Sequence, residues 1–468
     1  MYDVAIIGAG SAGLSALRQV RQQTDNFVIV NDGPYGTTCA RVGCMPSKAL
    51  IEPANAFHRR THFEEFGVRG SEHLKADIPA VLRRVRALRD RFVAGTTQIT
   101  TDLGERSIAG HARFVSPDAI EVNRRRIQAK TFIIATGSRP IVPDEWAGFG
   151  GRVLTSDTLF EQETLPASIA VVGLGVVGCE IAQALSRLGI EITAFGAGER
   201  PAGLEDPLVS EEARTLLSRE FTIHLQSRAA LEPSGGRIRA RADDRNVVVD
   251  GVFAALGRQP NVDDLGLENL GVQLDERGMP PFNVQSLQIE DLPIYFAGDV
   301  NAKWPVLHEA SDDGYISGYN APRDDSECFQ RRTPLAIVFT DPNIAVVGQR
   351  FATLDAQKIA IGAIDFSQQG RARVAGENRG LLRVYARKVD GRLLGAEMCA
   401  PRGENLAHLL ALAVAQRLTV HQLLRAPFYH PVFEEGLRTA LRDCAHQLNT
   451  APVTDLANCE PVGAAALD

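Results

Sequence analysis

The apolar positions of this chain gather into short runs that end at small residues. Val4-Ala5-Ile6-Ile7 predicts a strand that turns through Gly8, Gly10 and Gly13 into a helix, and the same pattern returns at Ile169-Ala170-Val171-Val172 before Gly173, Gly175 and Gly178. Between them, Leu74 to Thr97 predicts a long amphipathic helix with Val81, Leu82, Val85, Leu88 and Phe92 on one stripe and arginines opposite. Short alternating strands follow at Ala112-Arg113-Phe114 and Ala119-Ile120-Glu121-Val122, ending in the run Thr131-Phe132-Ile133-Ile134. That run empties into the small-residue turn Ala135-Thr136-Gly137-Ser138-Arg139-Pro140, and a similar turn, Ala255 to Asn261 around Gly257, closes the second unit. Ile294-Tyr295-Phe296 is a further buried strand with Asp299 just past its end. From Thr333 the texture changes. Strands such as Ala336 to Phe339 and Leu381 to Tyr385 alternate with an Ala/Leu-rich helix, and the glycine pattern is absent.

A chain of 468 residues holds about three domains, and 44% apolar residues supply several cores. The net charge is −7 and no basic run stands out, which argues against nucleic acid or an anionic membrane as partner. Met1-Tyr2-Asp3 lacks the basic start of a signal peptide, and the richest apolar stretch, Leu406 to Ala415, contains His408 and is too short to span a bilayer. Seven cysteines is an odd number, and Cys179, Cys328, Cys399, Cys444 and Cys459 show no framework spacing. A reducing, cytoplasmic setting is expected, where a reversible disulfide is usually catalytic.

The candidate chemistry starts at Cys39 and Cys44. On a regular helix five steps would separate their Cα atoms by roughly 7.5 Å along the axis, beyond the ~4.4–6.8 Å that a disulfide spans. A bridge therefore needs a distorted backbone, which Gly43 can supply, and a strained, accessible disulfide opens and closes easily. Alone, the pair reads equally well as two unlinked buried thiols. Its neighbours favour redox chemistry: glycines spaced as in the two fingerprints let backbone approach a pyrophosphate at a helix N-terminus, so two copies imply two dinucleotides. Asp299 is placed to accept hydrogen bonds from sugar-type hydroxyls, or to cap a helix. Near the end stands Phe428-Tyr429-His430-Pro431-Val432-Phe433-Glu434-Glu435. Thiol–disulfide exchange needs a base near neutral pH, which His430 can provide with a carboxylate to orient it, Glu435 first and Glu434 as competitor. No metal-ligand spacing appears.

Together these elements resemble the FAD-dependent pyridine nucleotide–disulfide oxidoreductases, and among them the dihydrolipoamide dehydrogenases, from Gly8 to about Asp443. The resemblance implies an α/β protein with two Rossmann-like dinucleotide-binding domains and a C-terminal α+β dimerisation domain. The FAD domain with a central segment would comprise residues 1–145 and 266–325, the NAD(P) domain 146–265, the dimerisation domain 333–445 and a tail 446–468. By the same resemblance Gly8, Gly10, Gly13, Asn31, Ala112, Gly137 and Asp299 would contact FAD, and Gly173, Gly175, Gly178 and Gly257 would serve the nucleotides. Cys44 would face the flavin, Cys39 would exchange with substrate, Lys48 would lie beside the flavin and pair with Glu180, and His430 with Glu435 would act from the neighbouring subunit of a homodimer.

The family pattern is broken at four points. Thr37 replaces a glycine before the cysteines and Arg41 an asparagine between them, Asn31 (with Asp32 adjacent) stands where a glutamate usually binds the FAD ribose, and Phe428 replaces a histidine. In addition, Gly196 stands where an acidic residue would select NAD, while Ala197 and Gly203 take the positions of the arginines that read a 2′-phosphate; Arg200 is basic in both classes. The implied reaction passes electrons between a dithiol such as dihydrolipoamide, free or on a lipoyl carrier domain, the cysteine pair, FAD and NAD, with NADP as runner-up. The alternatives are an NADPH-dependent reductase of a low-molecular-weight disulfide, a flavin-based quinone oxidoreductase and a non-enzymatic redox sensor.

Overall fold

Tyr2–Ile7 is the centre of a parallel sheet, and Val4, Ala5 and Ile6 have no exposed surface, which is why the run carries no polar alternation. In the computed structural model, which describes residues 1–450, this strand pairs in parallel with Phe27–Asn31 and with Arg125–Ile134. Ser107–Ala109 and Ile294–Phe296 extend the parallel set, and Arg125–Ile134 continues into an antiparallel ribbon with Ala119–Val122 and Ala112–Ser116. Helices Ser11–Val20 and Leu307–Asn320 touch backbone to backbone: a Cβ at Gly314 or Gly318 would lie 2.2 or 2.4 Å from the carbonyl oxygens of Ala12 and Ala16. These elements belong to a first unit comprising Met1–Leu50, Asp77–Leu165 and Ala254–Arg331.

The long helix of this unit runs Ile78–Thr101, a turn later at each end than the periodicity predicts. Asp77 sets its start by accepting a hydrogen bond from the Ala80 N–H at 3.0 Å, with Pro79 in the first turn, and Leu74 lies exposed ahead of it. Of the expected stripe, Leu82 and Val85 are buried and Phe92 is exposed.

The second unit is made of Ile51–Ala76, Pro166–Phe253 and the chain from Arg332 onward. Ser168–Val172, Glu191–Phe195 and Thr222–His224 form a parallel sheet, and helix Val176–Arg187 packs on it. The C-terminal part is a five-stranded antiparallel sheet in the order Leu335–Val338, Asn343–Gly348, Leu393–Ala400, Leu381–Arg387, Ile359–Asp365. The expected Ala/Leu helix, Gly403–Ala415, buries Leu406, Ala407, Leu410 and Ala413 in the core of this part. Helix Glu435–Ala445 lies so close to the sheet that a Cβ at Gly362 would fall 1.9 Å from the Ala440 carbonyl oxygen.

Two buried ionic networks tie the segments of the second unit together. The Arg187 side chain, 1% exposed, donates to both Glu220 carboxylate oxygens at 2.7 and 2.8 Å, to Asn55 Oδ1 at 2.6 Å and to Asp341 Oδ2 at 3.0 Å. Asp206, fully buried, accepts from Arg383 at 2.5 and 2.6 Å and from the Tyr385 hydroxyl at 2.8 Å, while Glu397 accepts from the Glu205 and Asp206 N–H groups at 2.9 Å. Among the described residues no helix is long and apolar enough to cross a membrane. Cys459 and the expected tail beyond Thr450 lie outside the described residues.

Candidate active site

Cys39 lies on the short helix Thr38–Arg41 and Cys44 opens the helix Cys44–His58, with Val42 breaking the two apart at φ −137°. Gly43 acts through size and not through an unusual φ: a Cβ there would sit 3.0 Å from the Thr38 carbonyl oxygen and 3.2 Å from the Cys39 Cα. The short helix folds back on the start of the next one, which brings the two sulfurs together. Both cysteines are half-buried free thiols in side-chain hydrogen-bond contact. The neighbouring Cys44 thiol, then burial, pushes the Cys39 thiol far above its ordinary range, and the Lys48 ammonium pulls the other way.

Two residues before this pair hold strained or crowded backbone. Thr37 has φ +44°, and its hydroxyl accepts from the Ala40 N–H at 3.1 Å, capping the Cys39 helix. Gly36 has φ +107°, and a Cβ there would strike Val93 at 2.7 Å. Arg41, between the cysteines, keeps a buried Nε without a partner and faces the carboxylates of Asp157 and Glu161.

The first glycine fingerprint divides its work. Gly8, at φ +111°, and Gly13 allow close packing: a Cβ would lie 2.2 Å from the Ala135 carbonyl oxygen and 1.9 Å from that of Gly8, respectively. Gly10 has nothing within 4 Å of its Cβ position, and the helix it precedes has no side-chain cap. The second fingerprint repeats this, with Gly173 at φ +107°, Gly175 open and its helix uncapped, and Gly178 buried within that helix. Open space in front of unpaired helix N–H groups fits a pyrophosphate.

Around the first fingerprint, Asn31 Oδ1 accepts from the Ala9 N–H at 2.9 Å and leaves a buried Nδ2 donor without a partner, as a nucleotide site requires. Asp32 points elsewhere: it is exposed and pairs with His111 Nδ1 at 2.9 Å, next to the buried Ala112. Asp299 Oδ2 accepts from the Ser138 hydroxyl at 3.0 Å, beside Gly137 at φ +70° with open space around it. The two similar turns pair with each other. Ser138–Pro140 runs antiparallel to Arg258–Pro260, and Gly257, at φ +99°, accepts from the Ile141 N–H at 3.0 Å. Gly257 therefore belongs with the first fold and not with the sheet its sequence follows.

His430 Nδ1 lies 3.0 and 3.2 Å from the Glu435 carboxylate oxygens, and Glu435 also accepts from the Val432 N–H. Hydrogen bonding to His430 holds the Glu435 carboxyl below its ordinary value. Glu434 makes no side-chain cap at the head of its helix, so Glu435 is the partner. The imidazole is 79% exposed. Glu180, 4% exposed, accepts from the Phe339 N–H at 2.9 Å. The structure thus joins Cys39 with Cys44 and His430 with Glu435; the first pair and Lys48 belong to the first unit, the second pair and Glu180 to the second. Pattern reading of single residues missed the cap on Thr37. Its signal was the threonine at a position where the pattern asks for glycine. Among the described residues no cluster of side chains suits a metal.

Residues 2–314 match the family described as pyridine nucleotide-disulphide oxidoreductase, and residues 335–441 match its dimerisation domain. The dihydrolipoyl dehydrogenase of Chlamydia pneumoniae is 29% identical over 460 residues, spanning 96% of this chain and 99% of its own length. Among solved structures, the HOCl-induced flavoprotein disulfide reductase RclA from Escherichia coli superposes with a TM-score of 0.82 at 22% identity, covering 94% of this chain and 99% of that one. LpdA from Mycobacterium tuberculosis gives 0.81 at 25% identity with the same coverage.

Proposed function

The chain belongs to the pyridine nucleotide-disulphide oxidoreductases, enzymes that use FAD and NAD(P)H, and from that premise we propose that it is a homodimeric dihydrolipoamide dehydrogenase acting in a reducing, cytoplasmic setting. The observation that carries the proposal is the thiol contact between Cys39 and Cys44 beside Lys48. The names of the curated relatives supply the substrate, a dithiol of the dihydrolipoamide type. FAD would be held by Gly8, Gly10, Gly13, Asn31, Gly137 and Asp299. When bound, it supplies two-electron exchange between a dithiol on one side and a nicotinamide on the other.

The protein's own part is thiol chemistry. His430 Nε2 takes a proton from one substrate thiol, while Glu435 holds Nδ1 and stabilises the imidazolium. The substrate thiolate attacks Cys39 Sγ of the oxidised pair. The Cys39–Cys44 bond breaks, and Cys44 leaves as a thiolate favoured by the Lys48 charge. The second substrate thiol, deprotonated in turn, attacks the mixed disulfide, expels Cys39 and leaves as the cyclic disulfide, so two electrons now rest on the cysteine pair. His430 is proposed to serve the cysteine pair of the partner subunit, a reading supported by its exposure and by the dimerisation domain.

The test is an anaerobic assay of the FAD-loaded protein with dihydrolipoamide and NAD, following NADH and the long-wavelength charge-transfer band. Rapid NADH formation is expected. A band that forms with reduced nucleotide while dihydrolipoamide gives no turnover sinks the substrate assignment and leaves the cysteine relay in place.

A further inference from the structure

The end of strand Glu191–Phe195 is where a fold of this type reads the adenosine ribose, by a carboxylate for the 2′-hydroxyl of NAD or a guanidinium for the 2′-phosphate of NADP. Here the strand ends at Gly196, whose N–H donates to the His224 carbonyl and whose carbonyl accepts from the Ser227 N–H, both at 2.8 Å. A Cβ at this position would sit 3.1 Å from Leu174 Cβ and 3.2 Å from Leu225 Cδ2, a tight fit against two leucines. The loop that follows offers one exposed acid, Glu199, and one base, Arg200, of opposite charge. Arg200 is turned back into its own loop, where its Nη1 donates to the Glu205 carbonyl at 2.5 Å. Of two further guanidiniums close by, Arg245 donates to the Ser227 hydroxyl at 2.9 Å and to the Leu225 carbonyl, and Arg228, next to Ser227, is exposed.

We propose that this chain does not discriminate between NAD and NADP, because Gly196 removes the selecting side chain and Arg200 and Arg245 are engaged by main-chain and hydroxyl partners. Large discrimination between two similar ligands requires a polar group built to meet the differing atom and left unpaired by the wrong one. The strand end carries neither version of that group. The proposal rests on the oxidoreductase reading above and narrows its nucleotide.

The test is equilibrium binding of the oxidised nucleotides NAD and NADP to the oxidised, FAD-loaded protein by titration calorimetry, at one salt concentration, alongside steady-state kcat/KM for NADH and NADPH. Dissociation constants within tenfold of each other are expected; a hundredfold preference for either nucleotide overturns the proposal. Failure of both to bind overturns it together with the oxidoreductase reading, whereas selective binding overturns it alone. Arg200→Ala, Arg228→Ala and Glu199→Gln are expected to leave the NAD/NADP ratio of affinities within about twofold. A selective loss of NADP binding in either arginine variant, or of NAD binding in the glutamine variant, identifies a reading group and overturns the proposal. Gly196→Glu, which must displace Leu174 and Leu225 slightly, is expected to raise the preference for NAD at least tenfold.

Discussion

Thr37 is a β-branched residue at φ +44°, a backbone region that costs on the order of 1–3 kcal/mol to hold. It stays because its hydroxyl caps the helix carrying Cys39. Thr37→Ala keeps the Cβ strain and loses the cap, so a loss of about 1 kcal/mol in denaturant unfolding is expected. Thr37→Gly relieves the strain at a capping cost of only a few tenths of a kcal/mol, and should be at least as stable as the parent. A glycine variant less stable than the alanine variant would refute this account. His58 carries a pH prediction. Burial, then the charge of Arg187, lowers its pKa to about 4, with Arg379 adding to the shift and Glu220 and Asp341 opposing it. The unfolded chain binds this proton near pH ~6.5 and the folded one only near 4, so stability is full above 6.5 and drains away as pH falls between the two. Denaturant midpoints at pH 7.5 and 4.5 should therefore fall further in the parent than in His58→Gln; equal slopes would contradict the assignment. At this scale the fingerprint glycines were legible in the sequence, because a steric demand fixes residue type. The φ of Thr37 and the unpaired Asn31 Nδ2 were not, because both arise from what the rest of the fold places around them.

Elements were legible where burial on both faces or clean alternation marks them. Ala119–Val122 and Ser168–Val172 form as their patterns predict, since each side chain's face follows from its position in the strand. The helix beginning at Ile78 was misplaced by a turn because apolar period says nothing about which residue caps it; Asp77 decided that. The joining of distant segments was also illegible. Arg187 sits in an ordinary amphipathic helix, yet it draws Asn55, Glu220 and Asp341 to one point from three stretches of chain. Removing Arg187 takes a buried cation from Glu220, at a cost of roughly 3–5 kcal/mol for a broken buried pair, while Asp341 keeps Arg379 at 3.1 Å and Glu220 keeps the Gln183 amide at 2.9 Å. Arg187→Ala should lower the stability of the second unit by that order. Asn55→Ala, which removes a neutral partner, should cost about 1 kcal/mol. Differential unfolding of the two variants checks the ranking, and a mild Arg187→Ala would mean that Gln183 and Arg379 suffice for Glu220 and Asp341.

At the scale of the whole molecule, contact and not acidity marks the exchangeable pair. Cys179, Cys399 and Cys444 are buried, with thiols pushed up by burial, and Cys328 is exposed, whereas Cys39 and Cys44 are half-buried and in thiol–thiol contact. What spacing could never supply is the proposed partnership between His430 and a cysteine pair nearly four hundred residues earlier in the sequence. The chain's order places the two in different units, and only the family resemblance brought in a second subunit. The arrangement has a consequence that a single-chain site lacks. Cys39→Ser and His430→Gln homodimers should each be inactive toward dihydrolipoamide, the second by about 10²–10⁴-fold, the usual worth of a general base. In a mixed dimer, one cysteine pair is intact and faces the intact histidine of the other chain, while its twin site carries both lesions. Random pairing makes half of all dimers mixed, so unfolding and refolding the two inactive proteins together should restore about a quarter of the parent activity. If His430 instead serves the cysteines of its own chain, every site in the mixture carries one lesion and no activity returns.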